Sequence, residues 1–352
     1  MPTDQTFHVR DDDKGATVAA ALRKWLKDSL PWSRIERMVQ SRHVLVNGNL
    51  CTDAARRLKS GDVVKLLEHS LAPPAREDDI KVRFIDTQVV VVEKPSGMTS
   101  VRHAEEENWS AKRRRASPTL EDLLPRIIAK KTGSRGRNHP RAAPQTNRLP
   151  PVRPVHRLDR ETSGLMIFAR TVPAERALGM QFRKHTTGRR YLAVVVGRVE
   201  AQKIETQLVR DRGDGRRGST QFADQGKHAV THVRPVEFFE GYTLVECELE
   251  TGRTHQIRIH LSELGNPVCG EKVYNKRKFK DALVDRSGAP RLALHATELA
   301  FEHPTSGETM EFEMPLPRDL REFVERLRSM TKKAKQVHHR GTETPRGKEE
   351  SE

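Results

Sequence analysis

The chain of 352 residues has little of what marks several common protein classes. It holds three cysteines, Cys51, Cys247 and Cys269, odd in number and far apart, with no CxxC pair. That pattern excludes a disulfide framework and a zinc knuckle, and no metal site is expected. A reducing cytoplasm fits. The longest apolar runs, Val89–Val92 and Tyr191–Gly197, are strand-sized. Both fall far short of the ~20 residues needed to span a bilayer. The N-terminus, Met1-Pro2-Thr3-Asp4-Gln5, lacks the basic, apolar and small-residue succession of a secretory signal. Membrane residence and export are not expected; a cytoplasmic location is. Aromatics make up 5% and apolar residues 35%, so part of the chain should lie outside any packed core.

Charge is what the chain has in excess. Its 64 Lys+Arg against 48 Asp+Glu leave a formal +16, and the pI is near 10.0. Such a surplus implies attraction to polyanions and makes nucleic acid the leading partner class. The length fits two domains, or one large sheet domain with a small module.

The charge is unevenly spread. Residues 1–15 carry Asp11-Asp12-Asp13 and are read as a mobile leader. Residues 16–68 form a compact unit with ten Lys/Arg against five Asp/Glu. Val18, Leu22, Trp25 and Leu26 recur at helix spacing. After Pro31, the Ser33/Glu36 pair reads as a capping box opening a second helix, with Ile35, Met38 and Val39 inward and Arg34 and Arg37 on another face. Val44-Leu45-Val46 then runs into Asn47-Gly48, a strong hairpin signal, and Gly61-Asp62 leads into a strand at Val63–Leu67. Residues 69–79 read as a linker.

Strands at Val82–Ile85 and Val89–Glu93 follow, closed by Lys94-Pro95-Ser96-Gly97. Residues 102–153 interrupt the pattern with thirteen Lys/Arg and five Asp/Glu, half of the whole excess. Leu120, Leu123, Leu124, Ile127 and Ile128 make one amphipathic helix there, flanked by basic loops at Lys112–Arg115 and Thr132–Arg153. The segment is expected to be an RNA-contacting flap. From Thr331 to residue 352 no structure is expected.

Two polar segments stand out against the apolar strands. The first, Pro154-Val155-His156-Arg157-Leu158-Asp159-Arg160-Glu161-Thr162-Ser163-Gly164, is a charged turn that delivers into an apolar strand ending at Ala169. An acid on a loop held between strands is where catalytic groups are commonly placed. The second, Thr251-Gly252-Arg253-Thr254-His255-Gln256-Ile257-Arg258-Ile259-His260-Leu261, reads as a turn at Gly252 and a helix capped by Thr254. Ile257, Leu261 and Leu264 would face the core and Gly265 would end the helix. Arg258 sits beside that apolar stripe, where a guanidinium needs an acid partner. His255 and His260, five apart, fit no helical metal pair.

These two runs, with Lys94-Pro95-Ser96-Gly97, Arg190-Tyr191-Leu192-Ala193, Leu294-His295-Ala296 and Phe301-Glu302-His303-Pro304, resemble the successive motifs of the RluA-type pseudouridine synthases. The likeness covers roughly 80–101 and 152–330; the insertion has no match beyond its helix, and Arg190 replaces a more usual lysine. The order of elements in 16–68 resembles an S4 RNA-binding module. The resemblance implies an α+β fold: a mixed, largely antiparallel catalytic sheet over 80–330, flanked by helices, plus the small α+β S4 module.

It implies the isomerisation of uridine in structured RNA, with large-subunit ribosomal RNA first among targets and tRNA second. The C1′–N1 bond breaks, the uracil rotates, and C5 bonds to C1′. Asp159 corresponds to the family's essential aspartate, acting by attack at C1′, addition to the ring, or proton abstraction from C2′. Arg258 would pair with it and Tyr191 would stack on the uracil. Arg157 would fill the space the everted base leaves, while Arg34, Arg37, Arg253 and His255 would contact RNA. No cofactor is expected, since no redox change occurs, and the chain is expected to be a monomer. A free aspartate is already ionised at pH 7, and an arginine would lower its pKa by a further ~1–3 units. The use of the pair must then be orientation and charge balance. The competing expectation is a non-catalytic RNA-binding or ribosome-assembly factor on the same fold, which would gain nothing from a carboxylate facing phosphates.

Overall fold

In the computed structural model the described residues are 5–27, 29–47, 49–67, 75–102, 106, 109–133, 149–212, 216–222, 224–274 and 284–340. The chain divides into two compact units, residues 1–73 with 205–229, and residues 74–204 with 230–352.

In the first unit, strand β1 (Gln5–His8) precedes helices α1 (Val18–Trp25) and α2 (Trp32–Gln40) and strands β2 (Val44–Val46), β3 (Asn49–Leu50) and β4 (Val63–Leu66). The strands form an antiparallel sheet in the order β1-β4-β2-β3. Its core gathers Leu22, Ile35, Val39, Val44, Val46 and Val64. The expected hairpin turns at Asn47, whose backbone is left-handed at φ 53°; its side-chain Nδ2 donates to Asp62 Oδ1 and its side-chain Oδ1 accepts from the Val63 amide.

Two expectations need correcting here. Residues 5–15 are not a mobile leader: β1 pairs with β4, and Phe7 stacks on Trp25 at 5.0 Å. Asp13 is buried, accepting from Lys24 Nζ at 2.7 Å and Trp25 Nε1 at 3.1 Å. A local excess of acids hid an apolar alternation strong enough to add a strand. Nor does Ser33 cap α2. Pro31 occupies the cap with no side-chain bond, because its fixed φ already sets the entry to the first turn.

The second unit begins with β5 (Lys81–Ile85), β6 (Val89–Lys94), α3 (Ala111–Ala116) and α4 (Leu120–Lys131). β7 (Arg153–Pro154), β8 (Ser163–Ala169), α5 (Val172–Lys184) and β9 (Gly188–Val196) follow. The antiparallel pair β10 (Gln202–Val209) and β11 (Gly218–Thr220) lies largely in residues that group with the first unit. β12 (Lys227–Phe239), β13 (Tyr242–Leu249), α6 (Gln256–Glu263), β14 (Leu294–Glu302), β15 (Thr309–Glu313) and α7 (Arg318–Arg340) complete the chain.

The sheet of the second unit runs β12-β13-β9-β14-β8-β6-β5, with β15 on β14 and β7 on β8. Among the described pairings in it only β14 with β8 is parallel. The sheet is therefore mixed and largely antiparallel, as expected. β6 shows why Val89–Val92 is an unbroken apolar run. Val90 and Val92 pack with Leu124 and Met166 on one face, while Val89 and Val91 pack with Leu178 and Ile167 on the other.

The insertion is only partly an insertion. Thr119 and Asp122 make a reciprocal capping box that starts α4, and Leu120, Leu124, Ile127 and Ile128 are buried in the main core. That helix is packed into the core of the second unit and is not a flap. Lys112–Arg115, expected as a loop, lie in α3, since arginine, lysine and alanine are good helix formers. Residues 134–148 of the expected basic loop, and 69–74 of the expected linker, lie outside the described residues. The tail is corrected as well: α7 buries Leu320, Phe323, Val324 and Leu327 and continues past Thr331 to Arg340. Residues 341–352 of the expected tail lie outside the described residues. Among the described residues no helix is long and apolar enough to cross a membrane.

Candidate active site

Asp159 is held by a loop that the chain stitches to its neighbour through backbone atoms. Lys94, fully buried at the end of β6, donates to the carbonyls of Pro95, Met98 and Arg160 at 3.0, 2.8 and 3.1 Å. The Gly97 amide donates to the same Arg160 carbonyl, and Ser96 Oγ donates to Glu161 O at 2.6 Å. Ser100 Oγ donates to Leu158 O and accepts from the Leu158 amide. The Lys94–Gly97 motif thus fixes the Arg160–Glu161 flank of Asp159, and Ser100 fixes the Leu158 flank. Burial pulls the Lys94 pKa down to about 7, opposed by Glu161 and Asp159. Beyond the loop Gly164, at φ +128°, lies against Ala296, where a Cβ would come 2.2 Å from the carbonyl oxygen.

The facing element is α6. The expected cap at Thr254 is not used: the helix starts at Gln256, with His255 in the left-handed region at φ 60° and no side-chain cap bond. Gln256 takes over the turn. Its Oε1 accepts from Thr251 Oγ1 and the Arg253 amide, and its Nε2 donates to Val230 O. Ile257 and Leu261 are buried as expected, whereas Leu264 is exposed. Arg258 does find acid, but its main partner is one the sequence reading did not name. Nε and Nη2 donate to Glu271 at 2.7 and 2.8 Å, while Nη1 reaches Asp159 Oδ2 at 3.3 Å.

Glu271 is buried, and its pKa falls to about 2: burial opposes ionisation, but Arg258 and the amides of Val273 and Tyr274 outweigh it. The Arg258 guanidinium lies 5.3 Å from the Tyr274 ring centroid. His255 Nε2 is 3.8 Å from Asp159 Oδ1, and its Nδ1 is 2.6 Å from the Tyr274 hydroxyl. Asp159 keeps 16% of its side chain exposed. Burial works against its charge, yet His255 and then Arg258 hold its pKa below the ordinary carboxylate value. It is an ionised, oriented carboxylate open to a cavity.

That cavity, about 480 Å³, has Asp159, Tyr191, His255 and Arg258 in its wall. Tyr191, on β9, is 8% exposed, and burial pushes its phenol up to about 12, so it stays neutral. The neighbouring Arg190 points to the other face of the strand, where it pairs with Glu298 at 3.0 Å. Arg157, exposed, and Arg253 also line the cavity, together with Arg183 and Arg189. The expected residues Asp159, Tyr191, Arg157, Arg253, His255 and Arg258 are thus brought together. Arg34 and Arg37 are not among them: both are exposed on α2 of the first unit.

Sequence reasoning missed Glu271, Lys94 and Arg189. Glu271 lies outside both motif runs, and only the need of a buried guanidinium for a second acid pointed to it. His156, in the first run, is also structural: its Nε2 accepts from the Ile167 amide and its ring stacks on Phe182 at 4.7 Å. Burial lowers its pKa to about 3, which keeps it neutral.

A cavity lined by five arginines, with the ionised Asp159 in its wall, suits a polyanion that presents a reactive unit to that acid. The class is an enzyme acting on nucleic acid. The RNA pseudouridylate synthase family pattern matches residues 88–263, and the S4 domain pattern matches 22–64. The ribosomal large subunit pseudouridine synthase D of Neisseria meningitidis is 34% identical over 325 residues, covering 89% of this chain and 79% of that one. An uncharacterized RNA pseudouridine synthase, YlyB, of Bacillus subtilis is 36% identical over 304 residues, covering 84% and 90%. The fold is shared with human RNA pseudouridylate synthase domain containing 4, at TM-score 0.53 and 23% identity, over 70% of this chain and 92% of that one. The chain belongs to the RNA pseudouridylate synthase family, of the RluA type, and carries an S4 domain. It is an isomerase whose substrate is RNA.

Proposed function

We propose that the chain converts uridines of large-subunit ribosomal RNA to pseudouridine, with Asp159 as the catalytic carboxylate. One observation carries the assignment of the residue: Asp159 lines the cavity and accepts from Arg258 Nη1, 3.3 Å from its Oδ2. The names of the relatives support the choice of RNA. Stacking of an everted uracil on Tyr191 is worth ~1–3 kcal/mol, which offsets much of the few kcal/mol needed to extrude a base from a helix. Asp159 acts on the ribose or the base; C1′–N1 breaks, the detached uracil turns, C5 bonds to C1′, and the proton lost from C5 is balanced by one gained at N1. The atoms on both sides are the same, so no cofactor enters.

Arg157 takes the place of the extruded base, and Arg253 and His255 contact the backbone of the target. Arg34 and Arg37 on α2 grip phosphates elsewhere on the RNA, which positions the enzyme without reading sequence. The protein works as a monomer in the cytoplasm, where its substrate is assembled. Mapping pseudouridines in cellular RNA with and without this gene tests the reading. Loss of one or more sites confined to the large-subunit RNA is expected; an unchanged large-subunit map contradicts it.

A further inference from the structure

Arg189 is a buried cation that the site as described does not use. It sits two residues before Tyr191 on β9, so both side chains share one face of the strand, and both line the cavity. The residue is 7% exposed. Nη2 donates to the carbonyls of Leu249 and Glu250 at 3.3 and 3.1 Å, while Nε is buried with no hydrogen-bond partner. Among the described residues no carboxylate lies within ion-pair distance of it.

The chain makes room for this arrangement. A Cβ on Gly252 would come 2.6 Å from Arg189 Nη1, so the glycine of the second motif run, expected as a turn residue, serves as the passage for a guanidinium. Two other charged groups of the cavity wall are matched: Arg258 by Glu271 and Asp159, and Glu175 by Arg153 at 3.1 Å. Burial, with Arg253 adding to it, disfavours the Arg189 charge. A guanidinium removed from water without a counter-charge is costly unless an anion arrives to complete it, and a planar fork with a spare N–H suits a phosphate oxygen.

We infer that Arg189 and the wall around Gly252 form a phosphate subsite, which holds a backbone phosphate adjoining the everted uridine and so sets where the ribose stands relative to Asp159. The inference rests on the isomerase reading, because the phosphate it binds is the one next to the uracil on Tyr191. Arg189 is in this sense a positioning residue that acts through the substrate backbone.

The test compares binding of uridine, uridine 5′-monophosphate and uridine 3′-monophosphate to the full-length protein by calorimetry at low salt. One of the two monophosphates should bind about tenfold tighter than uridine, the size of one charge-assisted hydrogen bond, and which one identifies the side of the ribose. The gap should shrink below threefold in Arg189→Gln and return in Arg189→Lys. Equal affinity of all three ligands for the wild-type protein, absence of binding at millimolar monophosphate, or a gap that survives in Arg189→Gln overturns the subsite. The wild-type comparison stands even if a variant fails to fold. Pseudouridine formation in a ribosomal RNA transcript is scored on the same preparation. Activity without a phosphate preference defeats the subsite alone, and a preference without activity supports the subsite while defeating the isomerase reading.

Discussion

Arg258 grips Glu271 with two hydrogen bonds of 2.7 and 2.8 Å and Asp159 with one of 3.3 Å. The two acids share one guanidinium unequally. Glu271, almost fully buried, fixes the arginine in place; Asp159, nearer solvent, is oriented by what remains of the fork. The stronger contact is the buried one, and the weaker one reaches the acid that borders the cavity.

Replacing Glu271 by Gln should therefore harm catalysis without touching the RNA-facing surface. Breaking one side of a buried pair costs about 3–5 kcal/mol, and the released guanidinium no longer holds Asp159 in one orientation. Single-turnover rates on a ribosomal RNA transcript should fall at least tenfold, with RNA affinity by filter binding changed less than twofold. An unchanged rate would show that Glu271 does not set the geometry of Asp159.

The same acid predicts a pH dependence of stability. The Glu271 pKa falls from 4.5 to about 2 in the folded chain, so the stabilisation is fully present above pH 4.5 and is lost as pH falls toward 2. Asp159, also lowered, contributes in the same direction. Each group loses up to ~1.4 kcal/mol per pH unit across its own window. Urea midpoints measured between pH 5 and 2.5 should decline, and the decline should be shallower in Glu271→Gln.

At Gly164 the backbone is both left-handed, at φ +128°, and pressed against Ala296. Ala there forces a contact that cannot relax, since the neighbour is backbone of β14. Gly164→Ala is expected to destabilise the protein by about 3 kcal/mol or more, read as a large fall in the urea midpoint. A midpoint within experimental error of wild type would mean that the β8–β14 contact is loose.

Much of this was legible in the sequence, for identifiable reasons. The helix at 120–131 announces itself by apolar periodicity, and the strands β6 and β8 by unbroken apolar runs. The site residues on the two long polar runs are local in sequence, and the runs interrupt apolar strands in a way that draws notice. Glu271 and Arg189 were not legible, because their roles exist only across the fold, between segments 13 and 60 residues apart. The leader was misread for the opposite reason: a conspicuous Asp11–Asp13 cluster outweighed Phe7 and Val9, which carry the packing. Basic composition likewise hid the helix at 111–116.

The account depends most on Asp159. Asp159→Asn keeps the size of the side chain and an oxygen for Arg258 but removes the charge to which the proposed function assigns the chemistry. Conversion of a ribosomal RNA transcript, followed by release of tritium from uridine labelled at C5, should drop by at least a thousandfold while RNA affinity stays within threefold of wild type. Tritium release at the wild-type rate in Asp159→Asn would contradict the account.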